Sequence, residues 1–207
     1  MGYYIFSYGI ETDKIKEVFG SNNKNILESI KKTDIFQNYK DFLPQGFKTP
    51  PEKALEDIIL NRPYDEKSNF AYGYAIICIS ATLGKNLPYT NEIKFGYETD
   101  LIDKYLSEDF GIADFIIDDT LLFEELIPFD IPLIDDWPII QVCTNKKLKK
   151  LQNILNDVKI TDEMLNLLEE DPDYDDDKFC GYMHIKGLKE NIEYCIENNL
   201  DMINFCH

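Results

Sequence analysis

Arginine is almost missing from this chain: Arg62 is the one guanidinium in 207 residues, against 39 carboxylates. Lysine supplies the remaining basic side chains, so Lys plus Arg reaches only 21 and the formal net charge is −18, with a pI near 4.4. A chain with that balance lacks the basic face that displaces counterions from a nucleic-acid backbone, which excludes direct nucleic-acid binding. An anionic membrane surface repels it for the same reason. Histidine is equally scarce, with His184 and His207 alone. No Cys-x-x-Cys occurs, and the five cysteines (Cys78, Cys143, Cys180, Cys195 and Cys206) are odd in number and scattered. That pattern reads as reduced thiols in a cytoplasmic protein, not as a disulfide framework. No apolar run reaches the roughly 20 residues that a bilayer-spanning helix needs. The opening MGYYIFSYGI has no basic region and no small-residue cleavage site, so a secretory signal is not expected. Met1-Gly2 begins a myristoylation pattern, but Ser7 stands one place beyond the position that motif gives its hydroxyl.

What is present is enough apolar material for a folded core. The chain is 44% hydrophobic and 13% aromatic, which separates it from a disordered acidic polymer. Its length fits a single globular domain spanning residues 1–207. The most evenly apolar stretch is the helix predicted after Ser68 or Asn69, where Ala71, Tyr74, Ala75, Ile76, Ile77, Cys78, Ile79 and Ala81 leave no face for water. Gly84 is expected to stop it in a left-handed conformation, and Gly73 within it to permit close approach by another backbone. A preceding helix buries Ala54, Leu55, Ile58 and Ile59, with Thr49 and Glu52 placed for a capping box. Tyr3 to Ile10, Ile139 to Thr144 and Leu200 to Cys206 read as strands. Shorter helices are predicted at 13–19, from Asn22 or Asn23, at 35–42, 98–106, 146–158, 161–168 and 187–198, separated by Gly, Pro and Asn signals. The result is an α+β fold, predominantly helical, with a small sheet of about three short strands.

The segments ALEDIILNRPYDEKSNFAYGYA, ATLGKNLPYTNEI and NNLDMINFCH together resemble a family of uncharacterised bacterial proteins of similar length, in which a helix–loop–helix carries an RPYDE-like loop followed by YGYA. The resemblance implies a bacterial origin and brings no activity, cofactor or catalytic residue with it.

Candidate chemistry is sparse. Arg62, beside Tyr64 and Asp65 in a short loop, suits an anion or carboxylate clamp, but better suits pairing with a neighbouring acid at the end of the preceding helix. The acidic run EDPDYDDDK fails as a calcium loop: counted from Asp171 it places Asp176 where the turn needs Gly and Tyr182 where a bidentate Glu is needed. Pro63-Tyr64-Asp65 with Glu92-Ile93-Lys94 imitates a metal-dependent nuclease pattern, but a long apolar helix separates the two halves. Cys180 and His184, four residues apart, would share a face of a helix and supply half of a metal site, with no further Cys–His spacing to complete it. No metal site, cofactor or catalytic residue is therefore assigned.

Charge is distributed unevenly. Residues 1–50 are nearly balanced, whereas Glu98 to Asp136 carries thirteen acids and one base, Lys104. Its acids come in pairs beside apolar clusters, which suits a surface that steers and anchors a basic protein partner. The residues expected to do so are Asp118, Asp119, Glu124, Glu125, Asp135, Asp136 and Trp137. The reading is a non-enzymatic binding module, an immunity-type inhibitor of a basic partner. Its alternatives are a ligand-binding domain or enzyme with a pocket at the Arg62 loop, and a structural homo-oligomer.

Overall fold

The computed structural model describes residues 2–113, 115–123, 127–171 and 175–207. Five short strands make one antiparallel sheet, and helices pack on both of its faces. The fold is α+β and dominated by helix, as the sequence predicts.

The sheet is built round β5 (Asp201–Cys206), which pairs with β1 (Tyr4–Ile10) on one side and β4 (Ile139–Cys143) on the other. Register aligns Cys206 with both Ile5 and Ile139, and Met202 with both Gly9 and Cys143. Two further strands, β2 (Lys85–Asn86) and β3 (Ile93–Lys94), share the remaining edge of β1. At two residues each they carry no periodicity, which is why three strands and not five are legible in the sequence. Because β5 is covered on both faces, its side chains are buried without alternation from Met202 to Cys206. The pleat sends Met202 and Cys206 into one core and Ile203 and Phe205 into the other. Asn204, fully buried between them, is satisfied: it accepts from Ser7 Oγ at 2.7 Å and donates to the Leu121 carbonyl at 3.1 Å.

One face carries α1 (Thr12–Lys16), α2 (Lys24–Lys31), α3 (Asp34–Tyr39), α4 (Pro51–Ile59) and α5 (Asn69–Leu83). The other carries α6 (Glu98–Phe110), α7 (Asn145–Ile154), α8 (Asp162–Glu169) and α9 (Asp176–Glu197). The apolar helix α5 is buried continuously from Phe70 to Ser80, as its composition requires. Each of its fully buried isoleucines contributes roughly 1.5–3 kcal/mol over exposure to water. It belongs to one core only, so the middle layer is the sheet and not α5.

Several local expectations are corrected. The Thr49–Glu52 capping box does not form: α4 opens on Pro50 without a side-chain cap, Thr49 Oγ1 donates to Asp65 Oδ2, and Glu52 faces Lys31. Gly84 is extended, not left-handed; a Cβ there would lie 2.5 Å from the Ser80 carbonyl oxygen and 2.9 Å from that of Gly9. The close neighbour of Gly73 is a pair of side chains, Pro138 and Ile134, and not a backbone. Helix α1 ends at Lys16, short of Phe19, and Thr12 at its start donates to Asp201. The last helix begins at Asp176, well before Gly187, capped by Asp175 on the amide of Lys178. Asn23, Thr33 and Thr161 cap α2, α3 and α8 through their side-chain oxygens.

Candidate functional site

The predicted loop residues are engaged with the protein itself. Arg62 donates to Glu56 Oε2 at 2.8 Å, and Glu56 in turn takes Lys31, so the guanidinium closes a surface ion-pair chain running from Glu52. Asp65 accepts from Thr49 Oγ1 at 2.8 Å and Ser68 Oγ at 3.0 Å, and it caps a 3-10 turn at Glu66–Ser68. Those hydroxyls hold its carboxyl below the usual aspartate range. Tyr64 leans on Tyr72, with ring centroids 5.0 Å apart. Arg62 and Asp65 are thus engaged by Glu56, Thr49 and Ser68.

The acidic residues fall on different elements. Asp119 begins a π-type helical turn (Asp119–Phe123) that packs on β4 and β5, and Asp118 immediately precedes it. Asp118 is half-buried with one carboxylate oxygen unpartnered, and burial raises its pKa. Nearby on α6, burial pushes Asp103 up to about 6, reinforced by the charges of Asp118, Asp100 and Asp119. Glu124 and Glu125 lie outside the described residues.

Asp135, Asp136 and Trp137 are brought together, and here the surface has shape. Asn69, at the start of α5, donates to Asp135 Oδ1 at 2.6 Å and to the Leu133 carbonyl at 2.8 Å, pinning the loop. Pro138 and Ile134 seat on Gly73, and Trp137 stacks on Tyr3 with centroids 3.7 Å apart and planes at 10°. The three residues form a ridge between two open grooves. One, of 420 Å³, is lined by Phe123, Ile127, Leu133 and Ile139; the other, of 500 Å³, by Phe42, Phe47, Phe70 and Tyr74. Leu133 is 74% and Phe123 54% exposed, so large apolar side chains stand in water beside two exposed carboxylates.

A residue that sequence reasoning missed completes a different cluster. Cys180 and His184 share a face of α9, and Glu98 from the first turn of α6 meets them. His184 Nε2 lies 3.1 Å from Glu98 Oε2, and its Nδ1 lies 2.7 Å from the Tyr89 hydroxyl. Burial outweighs the Glu98 carboxylate and lowers the imidazole pKa, leaving His184 neutral at pH 7. Burial, with Glu98 and Asp177, pushes the Cys180 thiol up to about 11. No spacing signal links residue 98 to residues 180 and 184, so only the packing of α6 on α9 discloses the third member.

Over its full length, residues 1–207, the chain matches the model of a family described as Domain of unknown function (DUF7691). The chain belongs to this family. Membership agrees with the resemblance drawn from the helix–loop–helix and C-terminal segments, at the level of an uncharacterised domain family. No curated protein and no solved structure matches the chain. Among the described residues, no helix is long and apolar enough to cross a membrane.

Proposed function

We propose that this chain is a non-enzymatic cytoplasmic binding module of bacterial origin that captures a basic protein partner, in the manner of an immunity-type inhibitor. One observation carries the reading: Asp135, Asp136 and Trp137 form an acidic–aromatic ridge between two open apolar grooves. Grooves of that kind take apolar anchors, and the carboxylates select a cationic surface round them. The chain's net charge of −18 accelerates encounter with such a partner and repels nucleic acid and anionic lipid. Asp118, Asp119, Glu124 and Glu125 belong to the same acidic stretch of sequence and complete the set of partner-binding residues.

The test is capture of proteins from bacterial lysate at low and at high salt, with two variants alongside. Asp135→Lys/Asp136→Lys reverses the ridge, and Leu133→Asp places a charge in the groove. A basic protein held at low salt by the unmodified chain and lost by both variants supports the proposal. Retention unaffected by either variant excludes this surface, and a concentration-dependent mass with no captured protein would favour a homo-oligomer. A captured small anion lost on Arg62→Ala would instead favour the pocket at Arg62, Tyr64 and Asp65.

A further inference from the structure

We propose that Glu98, Cys180 and His184 form a three-ligand site for a divalent transition metal of the zinc class. Their donor atoms, a carboxylate oxygen, a thiol sulfur and an imidazole nitrogen, all lie within 4.8 Å of one another. Roughly an ångström of side-chain rotation closes that spacing to the about 3.3–3.6 Å separating ligands in a tetrahedral zinc site. The donor set itself discriminates: calcium and magnesium take oxygen, whereas mixed sulfur, nitrogen and oxygen suits zinc and its neighbours. Among the described residues, no other three such side chains come so close.

The surroundings are those of a constructed site. Cys180 and His184 stand one helical turn apart on α9, so both side chains reach the same point. Gly181 lets α6 sit against them, since a Cβ there would lie 2.6 Å from the Tyr105 ring and 3.3 Å from the Leu101 carbonyl oxygen. Gly187 does the same for Tyr89, whose ring would be 2.2 Å from a Cβ at that position. Tyr89 thereby delivers its hydroxyl to His184 Nδ1, the outer hydrogen bond that fixes a metal-bound imidazole. The amide of Lys94 donates to Glu98 Oε2 at 2.6 Å and orients the carboxylate.

The proton balance is simple. On binding, Nε2 must present its lone pair, so the imidazole proton moves to Nδ1, where the Tyr89 oxygen accepts it. Cys180 loses its thiol proton to solvent, and two anionic ligands then neutralise the dication. Glu98 is 21% exposed whereas His184 is 2% exposed, so the metal enters from the carboxylate side, and water takes the fourth position.

Cobalt(II) titration of the reduced, chelator-treated full chain tests this. One equivalent should bind with tetrahedral d–d bands and a thiolate-to-cobalt charge-transfer band, and zinc(II) should displace it. Cys180→Ser should lose the charge-transfer band, and Tyr89→Phe should weaken binding by roughly ten- to hundred-fold. Glu98→Gln should weaken it as well, and circular dichroism in chelator verifies that each variant is folded. Absence of the bands in the unmodified chain overturns the site. So does a charge-transfer band that survives in Cys180→Ser, because it would place the metal on another cysteine. Should Cys180→Ser not fold, undiminished affinity in both Glu98→Gln and Tyr89→Phe overturns the site equally.

Discussion

Asp103 accepts a hydrogen bond from the Ile117 amide at 2.9 Å, yet its carboxylate is half out of water among other acids. With a folded pKa of about 6, against an ordinary 3.8, the native state binds its proton more tightly than the unfolded chain does. Both states are protonated well below pH 3.8, so the residue then has no effect on stability. A penalty develops as pH rises through 3.8 towards 6 and is complete above it. Asp103→Asn keeps the acceptor for Ile117 and removes the charge. It should raise the melting temperature at pH 7 by roughly 2–4 °C and change almost nothing at about pH 3. Equal effects at both pH values would mean that the carboxylate's charge is not the cause. At this scale the sequence discloses residue types and near neighbours only. The Cys180–His184 spacing is legible because a helix repeats every 3.6 residues. Glu98 is not, since nothing local ties it to α9, and Asp103 looks like any surface aspartate until the segment after α6 folds back over it.

Elements with a long apolar period were the legible ones. Helix α5 declares itself by composition, and the buried face of α4 by the spacing of Ala54, Leu55, Ile58 and Ile59. The last helix is predicted to start at Gly187 but begins at Asp176, and within it Gly181 and Gly187 each make room for a tyrosine from another element. Caps were legible where a side chain had no better partner; Thr49 had one in Asp65, contributed by a loop beyond α4. Gly73 links α5 to the candidate interface. A methyl there would meet Pro138 Cγ at 2.7 Å and Ile134 Cδ1 at 2.9 Å. Gly73→Ala recovers about 1 kcal/mol of helix propensity but incurs about 1–3 kcal/mol of overpacking. The loop should lift, destabilising the fold and shifting the emission of Trp137, the single tryptophan, to the red. Unshifted emission with a gain in stability would mean that the ridge does not rest on α5.

For the molecule as a whole, 39 acids against 21 bases leave an excess of 18 negative charges. Among the described residues, ion pairs such as Lys14–Glu11 and Lys186–Glu190 lie at the surface, where each contributes little. Self-repulsion therefore outweighs pairing, and salt should stabilise: raising ionic strength from about 0.1 to 1 M shortens the screening length from about 10 to 3 Å. Melting temperature should rise across that range, and a fall would show that the chain Glu52–Lys31–Glu56–Arg62 matters more than the excess charge. The layer order, with helices on both sides of an antiparallel sheet, was not legible because period and propensity say which segments form and not which face each covers. That order also sets a timetable. The strand at the centre of the sheet, β5, comes after the other elements of residues 1–207, and its partner β1 comes before them. A chain still on the ribosome holds β1 and β4 with bare edges and two half-covered helical layers until residue 206 emerges. Closing so long a loop is slow, and unpaired edges invite pairing with other chains. Production of this protein is thus most exposed to aggregation in the interval between synthesis of β4 and arrival of β5.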